Sequence, residues 1–168
     1  VVPLLDGPDP VDPVLLQGRR LFQDAGDRRM SQVGYISCAS CHPDGEQDGQ
    51  VWDFTERGEG LRNTISLRAT LQGPLHWTAN FDELQDFEGD IRLFQGGTGF
   101  LADDDWHGTQ DALGPAKIGL SADLDALAAY IESLAPLSSP TPVDDAVARG
   151  ELRFHELGCP SCHPAPDY

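Results

Sequence analysis

Basic residues and long apolar runs are both scarce in this sequence. Lysine and arginine together number 11, against 28 aspartates and glutamates, so the formal net charge of the 168 residues is −17 at pH 7. Such a surface repels nucleic acid and anionic lipid, and it favours a basic partner protein, a cation-rich medium or bound Ca²⁺. An acidic surface that serves solubility alone is the alternative. No apolar run is long enough for a membrane-spanning helix, and no membrane span is expected.

Cysteine is also scarce. All four cysteines belong to one motif, which occurs twice. The stretches "ISCASCHPDG" and "GCPSCHPAPD" each contain Cys-x-x-Cys-His, the attachment signature of c-type haem. The two thiols form thioether bonds with the haem vinyl groups, and the histidine is the proximal ligand of the iron. The sequence therefore predicts two covalent haems c. Their attachment sets are Cys38, Cys41 and His42, and Cys159, Cys162 and His163.

Three other uses of paired cysteines stay open at this point. Two Cys-x-x-Cys pairs can form a four-thiolate zinc site, although zinc does not require a histidine after each pair. Disulfides form in exported proteins, and a thioredoxin-like motif occurs once, between a strand and a helix. Because haem is attached to this motif outside the cytoplasm, we expect a periplasmic or extracellular protein whose signal peptide was removed before Val1.

An internal repeat links the two haem motifs. The stretch "VDPVLLQGRRLF", which starts at Val11, resembles "VDDAVARGELRF", which starts at Val143. Each copy predicts a helix, capped by Asp12 or by Asp144, that leads towards a haem motif. The repeat therefore predicts two domains of one kind, each opened by such a helix.

A further helix and a linker divide the two domains. The stretch "SADLDALAAYIESL" predicts a helix with Ser121 as its N-cap and one apolar face. That face comprises Leu124, Leu127, Ala128, Ile131 and Leu134. The composition of "APLSSPTP", residues 135–142, is typical of a linker. We therefore expect a first haem domain over residues 1–137, and a linker with a truncated second haem segment over residues 138–168.

Five segments together resemble one family: "GRRLFQDA", "ISCASCHPDG", "GLRNTISLRA", "PLHWTANFDELQDFE" and "LSADLDALAAYIESL". The chain is similar there to the di-haem cytochrome c peroxidase and MauG-like family. The resemblance implies a mainly α fold of cytochrome c-like domains with long loops, one haem in each domain and often Ca²⁺ between them. It implies electron transfer between the haems. The alternatives are a peroxidase or MauG-like oxidase that uses an open haem face, and a cytochrome that assembles into a larger electron-conducting array.

The resemblance also assigns roles to single residues. Trp77 matches the tryptophan that the family keeps between its haems as an electron bridge, and packing in the core is the alternative. Asn63 lies near the family's calcium-binding asparagine, although a turn or capping role is the alternative. Peroxidatic members place a glutamine and a glutamate beside the open iron face. Here Phe87, which cannot orient peroxide, takes the glutamine's place, and Glu88 is the remaining candidate for a catalytic role.

Three residues are candidates for the distal iron ligand. His76, in "PLHW", lies close to where the first haem is expected and is the leading candidate; a hydrogen bond to a propionate is its alternative. His107 precedes the Ser121 helix much as the distal ligand does in small cytochromes c, although the acidic run beside it is typical of a solvated loop. Met30, the only methionine, is the third candidate, with core packing as the alternative.

The second haem is expected to need cover from elsewhere. The segment after His163 is too short to fold round a porphyrin, and an open haem face leaves a large apolar surface in water. The first domain, a neighbouring copy of the chain or a missing continuation after Tyr168 can each supply that cover. For electron exchange we expect a redox partner protein with a basic docking surface.

Overall fold

The computed structural model describes residues 12–68, 74–137 and 144–164, without the side chain of Arg57. The chain divides into two compact units, Val1–Pro136 and Leu137–Tyr168. The fold is helix-rich, at 44% helical, and no helix among the described residues is long and apolar enough to cross a membrane. The prediction of a mainly helical fold is therefore confirmed. The structure also contains a small two-stranded sheet, which was not predicted.

Six α-helices, four short 3₁₀ turns and two strands make up the described part of the chain. The α-helices are α1 (Pro13–Gln23), α2 (Cys38–Cys41), α3 (Glu88–Leu93), α4 (Asp103–Gly108), α5 (Ala122–Glu132) and α6 (Asp145–Glu156). The 3₁₀ turns span Pro43–Gly45, Thr55–Arg57, Leu84–Phe87 and Cys159–Ser161, and the strands are β1 (Val51–Phe54) and β2 (Gly60–Asn63). The predicted linker, residues 135–142, lies mostly outside the described residues.

Helices α1 and α5 begin at the residues that the sequence predicts. The carboxylate of Asp12 accepts a hydrogen bond from the main-chain N–H of Val14 at 2.7 Å, and Pro13 at the first helical position has no N–H that needs a partner. The hydroxyl of Ser121 accepts from the main-chain N–H of Leu124 at 3.3 Å. Both N-cap predictions are confirmed, because each side-chain oxygen replaces the carbonyl that the start of a helix lacks.

The apolar face of α5 is buried, as its helical periodicity predicts. Its buried members are Leu124, Leu127, Ala128 and Ile131. The fifth predicted member, Leu134, lies just beyond the helix and is half-buried. Helix α1 packs against α5, and the ring of Phe22 meets the ring of Tyr130 edge-on, with 5.2 Å between the centroids.

A glycine sets the distance between α1 and α5. A Cβ atom at Gly18 would lie 1.9 Å from the main-chain oxygen of Ala126 and 2.7 Å from the Cβ of Tyr130. Backbone and Cβ atoms cannot rotate aside as a flexible side chain can. The two helices therefore cross so closely that only glycine fits at position 18.

We expect Gly18→Ala to lower the free energy of unfolding of the first unit by about 1–3 kcal/mol, the usual cost of overpacking a close contact. Urea unfolding followed by far-UV circular dichroism measures this difference. Gly108→Ala in α4 is the matched control, because no described atom lies within 4 Å of a Cβ at that position. If both variants unfold at the urea concentration of the parent protein, the close crossing of α1 and α5 is not needed for stability.

Two apolar clusters form the interior of the first unit. The main core cluster contains Leu21, Phe22, Met30, Leu84, Ile91, Leu127, Ala128 and Ile131. The smaller cluster contains Leu101, Trp106 and Leu124. Because α5 contributes residues to both clusters, it is the central element of the unit.

The sequence analysis did not predict the β-hairpin formed by β1 and β2. The strands pair antiparallel, with Val51 opposite Asn63 and Phe54 opposite Gly60. Gly58, in the left-handed region at φ 78°, ends the 3₁₀ turn between them. The ring of Phe54 packs on Phe94, with 5.1 Å between the centroids, and this contact attaches the hairpin to the segment that follows α3.

A buried ion pair holds the loop between α4 and α5. Lys117 and Asp86 are both almost inaccessible to solvent, and the Nζ atom of Lys117 lies 2.6 Å from Oδ1 of Asp86. The other carboxylate oxygen of Asp86 accepts the main-chain N–H groups of Asp82 and Glu83, at 3.0 and 3.2 Å. Buried charges are tolerated only where they are paired and hydrogen-bonded in this way. The pair therefore fixes the loop against the turn Leu84–Phe87.

The second unit consists of α6 and the turn Cys159–Ser161 in its described residues. The carboxylate of Asp144 accepts the main-chain N–H groups of Ala146 and Val147, at 2.8 and 3.1 Å, which confirms the second predicted N-cap. None of residues 144–164 is buried. A segment of this length cannot bury enough apolar surface to be stable by itself.

Candidate functional site

The first Cys-x-x-Cys-His motif folds as a single helical turn. Cys38–Cys41 forms α2, and the main-chain N–H of His42 donates to the carbonyl oxygen of Cys38 at 2.9 Å. The N–H of Ser37 donates to the hydroxyl of Ser40 at 3.0 Å and closes the start of the turn. Because residues three and four apart lie on one side of a helical turn, both thiols and the imidazole are carried on the same side.

The second motif forms a 3₁₀ turn that repeats the histidine hydrogen bond of the first. The N–H of His163 donates to the carbonyl oxygen of Cys159 at 3.0 Å, and the N–H of Cys162 donates to the same oxygen at 3.1 Å. Gly158, in the left-handed region at φ 76°, separates this turn from the end of α6. The two motifs therefore share the hydrogen bond from the histidine N–H to the first cysteine, although the first forms an α-helical turn and the second a 3₁₀ turn.

The four cysteines are free thiols in this structure. Burial raises the pKa of Cys38 to about 12, and the neighbouring Cys41 adds to the effect. Burial also raises the pKa of Cys41, with a further contribution from the carboxylate of Asp48. Both thiols of the first motif are therefore neutral at pH 7. Thioether formation with a haem uses thiols of this kind.

The imidazole of His42 is half-buried, and its Nδ1 atom is shielded from solvent. Its Nδ1 atom makes no hydrogen bond within the described residues. Burial lowers the pKa of His42 below its ordinary value, and the backbone near Glu46 and Ile65 and the charge of Asp48 oppose this only in part. The ring is therefore neutral at pH 7, as a metal-ligating imidazole must be. These properties fit the role of a proximal iron ligand.

The first motif lies against the main core cluster. Cys38 and Ala39 pack on that cluster, and so do Leu67, Leu75 and Phe87, which are themselves only half-buried. The cluster on which Cys38 packs therefore also carries apolar side chains that are only partly covered, and a large planar apolar group fits such a surface.

The predicted distal ligand His76 belongs to a tight loop on the same cluster. Leu75 and Phe81 close the loop through an N–H to carbonyl hydrogen bond of 2.8 Å. His76 itself has a φ of 67°, in the left-handed region that residues other than glycine rarely adopt. Its ring packs on Phe81 and Phe87, with centroid distances of 4.1 and 4.8 Å. The loop therefore holds the imidazole against Phe81 and Phe87, and Phe87 packs on the same core cluster as Cys38.

Both ring nitrogens of His76 lie near oxygen atoms. The Nδ1 atom lies 3.0 Å from the amide oxygen of Asn80, which accepts, so Nδ1 carries a hydrogen in this contact. The Nε2 atom faces a carboxylate oxygen of Asp90 at 3.5 Å. The sequence analysis missed both partners. Only the contact with Asn80 has a local signal in the sequence, because Asn80 lies four residues after His76.

Trp77 is a surface residue, so its alternative assignment to the core is wrong. Its side chain is 59% exposed, and its indole N–H donates to the main-chain oxygen of Asn63 at 2.8 Å. Asn63 is the last residue of β2 and neither caps a helix nor forms a turn. A shallow cavity of about 480 Å³ lies between the two residues and is also lined by Leu61 and Arg62. Within the described ranges no three His, Cys, Asp or Glu side chains come together as a metal site.

The structure places the other two distal candidates in different surroundings. Met30 is fully buried in the main core cluster, on which Cys38 also packs. His107 lies in the last turn of α4 and is exposed, with its Nδ1 atom 3.0 Å from the side-chain nitrogen of Gln110. The acidic run beside it forms the first turn of α4 rather than a loop. Met30 therefore packs in the core, as its alternative assignment expects, whereas His107 lies at the surface.

Glu88 is occupied by internal hydrogen bonds. Its carboxylate is fully buried and accepts the main-chain N–H groups of Phe100 and Leu101, the shortest at 2.9 Å. It also accepts from the guanidinium of Arg92 at 2.7 Å. This arrangement fixes the loop after α3 to the helix. The neighbouring Phe87 packs on the ring of His76. Glu88 is therefore not available beside that imidazole as a catalytic acid or base.

No model of a known protein family matches the chain, and no curated protein matches it significantly. The functional assignment therefore depends on the residues of the two motifs and on what surrounds them.

Proposed function

We propose that this chain is a di-haem c-type cytochrome whose function is to transfer electrons between two covalently bound haems. One observation carries the proposal: in both Cys-x-x-Cys-His motifs the cysteines lie on one turn of helix, and the histidine N–H bonds the first cysteine's carbonyl oxygen. A haem bound at each turn would supply one-electron chemistry through its iron.

The chain's own residues have distinct roles in this proposal. The thiols of the two motifs anchor the cofactors, and His42 and His163 are the proximal ligands. His76 is the leading distal ligand of the first haem, because Asn80 orients its ring through Nδ1 and Nε2 would bind the iron in place of its contact with Asp90. A metal-bound imidazole is commonly oriented through its other nitrogen in this way. Trp77 lies one residue further on, where its exposed indole can exchange electrons with a docked protein.

The charge of the chain supports a basic redox partner. At −17, the protein attracts cationic proteins from a distance and speeds their association at low ionic strength. Because haem attachment to this motif takes place outside the cytoplasm, the proposal also includes a periplasmic or extracellular location.

Intact mass and optical spectra of the native protein test the proposed function. We expect the mass of the chain plus two haems, and the spectrum of two low-spin c-type haems. A mass with fewer than two haems would contradict the di-haem assignment. A high-spin haem that reacts with peroxide would favour the peroxidase alternative over electron transfer.

Replacement of His76 tests the distal ligand. We expect His76→Ala to convert one low-spin haem to high-spin, because the loop around it offers no other nitrogen donor to that iron. His107→Ala is the control, since an exposed histidine at the end of α4 should leave the spectrum unchanged. If His76→Ala has no spectral effect, His76 is not the ligand. Loss of a thioether-to-iron charge-transfer band in Met30→Ala would then select Met30.

A further inference from the structure

One arginine holds the chain segment that follows the first Cys-x-x-Cys-His motif. Residues 43–46, which we call the proximal turn, directly follow His42. The guanidinium of Arg68 donates to the main-chain oxygen of Asp44 at 2.7 Å. It also forms an ion pair with the carboxylate of Glu46, with 2.9 Å between Nε and Oε1. Arg68 therefore contacts the proximal turn at two successive points.

The same arginine reaches the end of α5. Its guanidinium donates to the main-chain oxygen of Ala135 at 3.0 Å. The residue before it, Leu67, donates its main-chain N–H to the carbonyl oxygen of Gly45 at 2.8 Å. Leu134 packs on the turn so closely that a Cβ atom at Gly45 would lie 2.6 Å from its Cδ1. These contacts join the proximal turn to the segment before Arg68 and to the residues that follow α5.

The shape of the arginine side chain matters for these contacts. Two main-chain oxygens and one carboxylate surround the guanidinium, and only 21% of the Arg68 side chain is exposed. A planar guanidinium presents several donors in a fixed fork, whereas the ammonium group of lysine is a single point charge. Arg68 therefore acts as a clamp between three segments, and a lysine in its place cannot serve all three acceptors at once.

The clamped segments adjoin the imidazole of His42. Its Nδ1 atom is shielded from solvent and makes no hydrogen bond within the described residues. Burial lowers the pKa of His42, and the main-chain groups of Glu46 and Ile65 oppose this effect. Glu46 is held directly by Arg68, and Ile65 lies two residues before Leu67, which bonds the proximal turn. The main chain that acts on the imidazole is therefore the main chain that the clamp holds.

We propose that Arg68 is a positioning residue for His42: it fixes the proximal turn, whose main chain then sets the hydrogen bonding of Nδ1 when Nε2 binds iron. A ligating imidazole is commonly oriented, and made more basic, through its other nitrogen. A more basic ligand favours oxidised iron, so the clamp lowers the reduction potential of the first haem. This inference rests on the proposed function, because it needs a haem at the first motif.

Arg68→Lys in the haem-loaded full chain tests the positioning role at constant charge. Because lysine cannot bond all three acceptors, the proximal turn should relax and Nδ1 should lose its acceptor. We expect one of the two haem potentials to rise and the other to stay in place. The expected shift is about tenfold in favour of the reduced iron, or ~59 mV for one electron. A potentiometric titration followed by absorption measures both potentials.

A second variant and a second measurement address the same clamp. Glu46→Asp keeps the charge but shortens the reach of the carboxylate towards Arg68, so it should raise the same haem potential by a smaller amount. In the reduced, diamagnetic protein, NMR reports the Nδ1 proton of His42 itself. Its exchange with solvent should be about tenfold faster or more in Arg68→Lys, because hydrogen-bonded protons in held segments exchange slowly.

Arg29→Lys is the matched control. Arg29 also joins a loop to α5, through Asp27 at 2.7 Å and Asp123 at 2.6 Å, but it does not contact the proximal turn, so both potentials should stay unchanged.

Three outcomes overturn the positioning role of Arg68 while the proposed function stands. In the first, Arg68→Lys moves neither potential. In the second, it moves both potentials alike. In the third, one potential rises without faster exchange of the His42 proton, because the effect then does not pass through His42. A native protein with no haem at the first motif overturns both this inference and the proposed function.

Discussion

Replacing Cys38 and Cys41 together by alanine is expected to remove one of the two covalent haems and to leave the other in place. Each motif is complete in itself, with both thiols and the imidazole on one helical turn. Attachment at one turn therefore has no need of the other turn's thiols. The measurement is the intact mass of the variant, together with the haem-to-protein ratio from its reduced absorption spectrum.

Replacing Cys159 and Cys162 by alanine is the matched experiment on the second motif. It should also remove one haem, but the two variants should differ in stability. Cys38 packs on the main core cluster, whereas Cys162 is exposed in the second unit. We therefore expect only the first pair of substitutions to lower the unfolding midpoint of the first unit. Loss of both haems from either variant would contradict independent attachment.

Lys117→Met is expected to destabilise the first unit by about 3–5 kcal/mol, the usual cost of leaving one partner of a buried ion pair without the other. Both members of the pair are buried, at 2.6 Å, so solvent does not screen the remaining charge. Methionine keeps most of the side-chain volume, and a cavity therefore contributes little to the loss. Urea unfolding at neutral pH measures the change.

Two further variants separate the buried charge from other effects of Lys117→Met. Adding Asp86→Asn removes the orphaned charge and keeps an oxygen for the N–H groups of Asp82 and Glu83, so the double variant should recover part of the lost stability. Asp103→Asn removes an exposed member of the ion pair with Arg92 and should cost about 1 kcal/mol or less. If Lys117→Met is no worse than Asp103→Asn, the buried pair does not hold this loop.

Much of the helical structure could be predicted from local patterns. Asp12, Ser121 and Asp144 cap the helices that the sequence places after them. The apolar face of α5 followed from the spacing of its residues. These features depend on residues no more than four positions apart, and short-range hydrogen bonds and helical periodicity are visible in the sequence.

The surroundings of the candidate distal ligand could not be predicted in this way. His76 meets Asp90 and Phe87 from a later part of the chain. Trp77, a large apolar residue, is exposed because its indole N–H reaches the backbone of β2, in a hairpin that the sequence analysis did not foresee. Contacts between distant segments decide these positions, and no local pattern records them.

The sequence by itself determined the two Cys-x-x-Cys-His motifs, the repeat that leads to each of them and the starts of the helices. It did so because covalent spacing, capping and helical periodicity act over a few neighbouring residues. Only the tertiary structure decided that Lys117 and Glu88 are buried as structural clamps and that His76 is oriented by Asn80. It also showed that Gly18 is covered by α5. The physical reason is that burial and the pairing of buried charges depend on which distant segments the fold brings together.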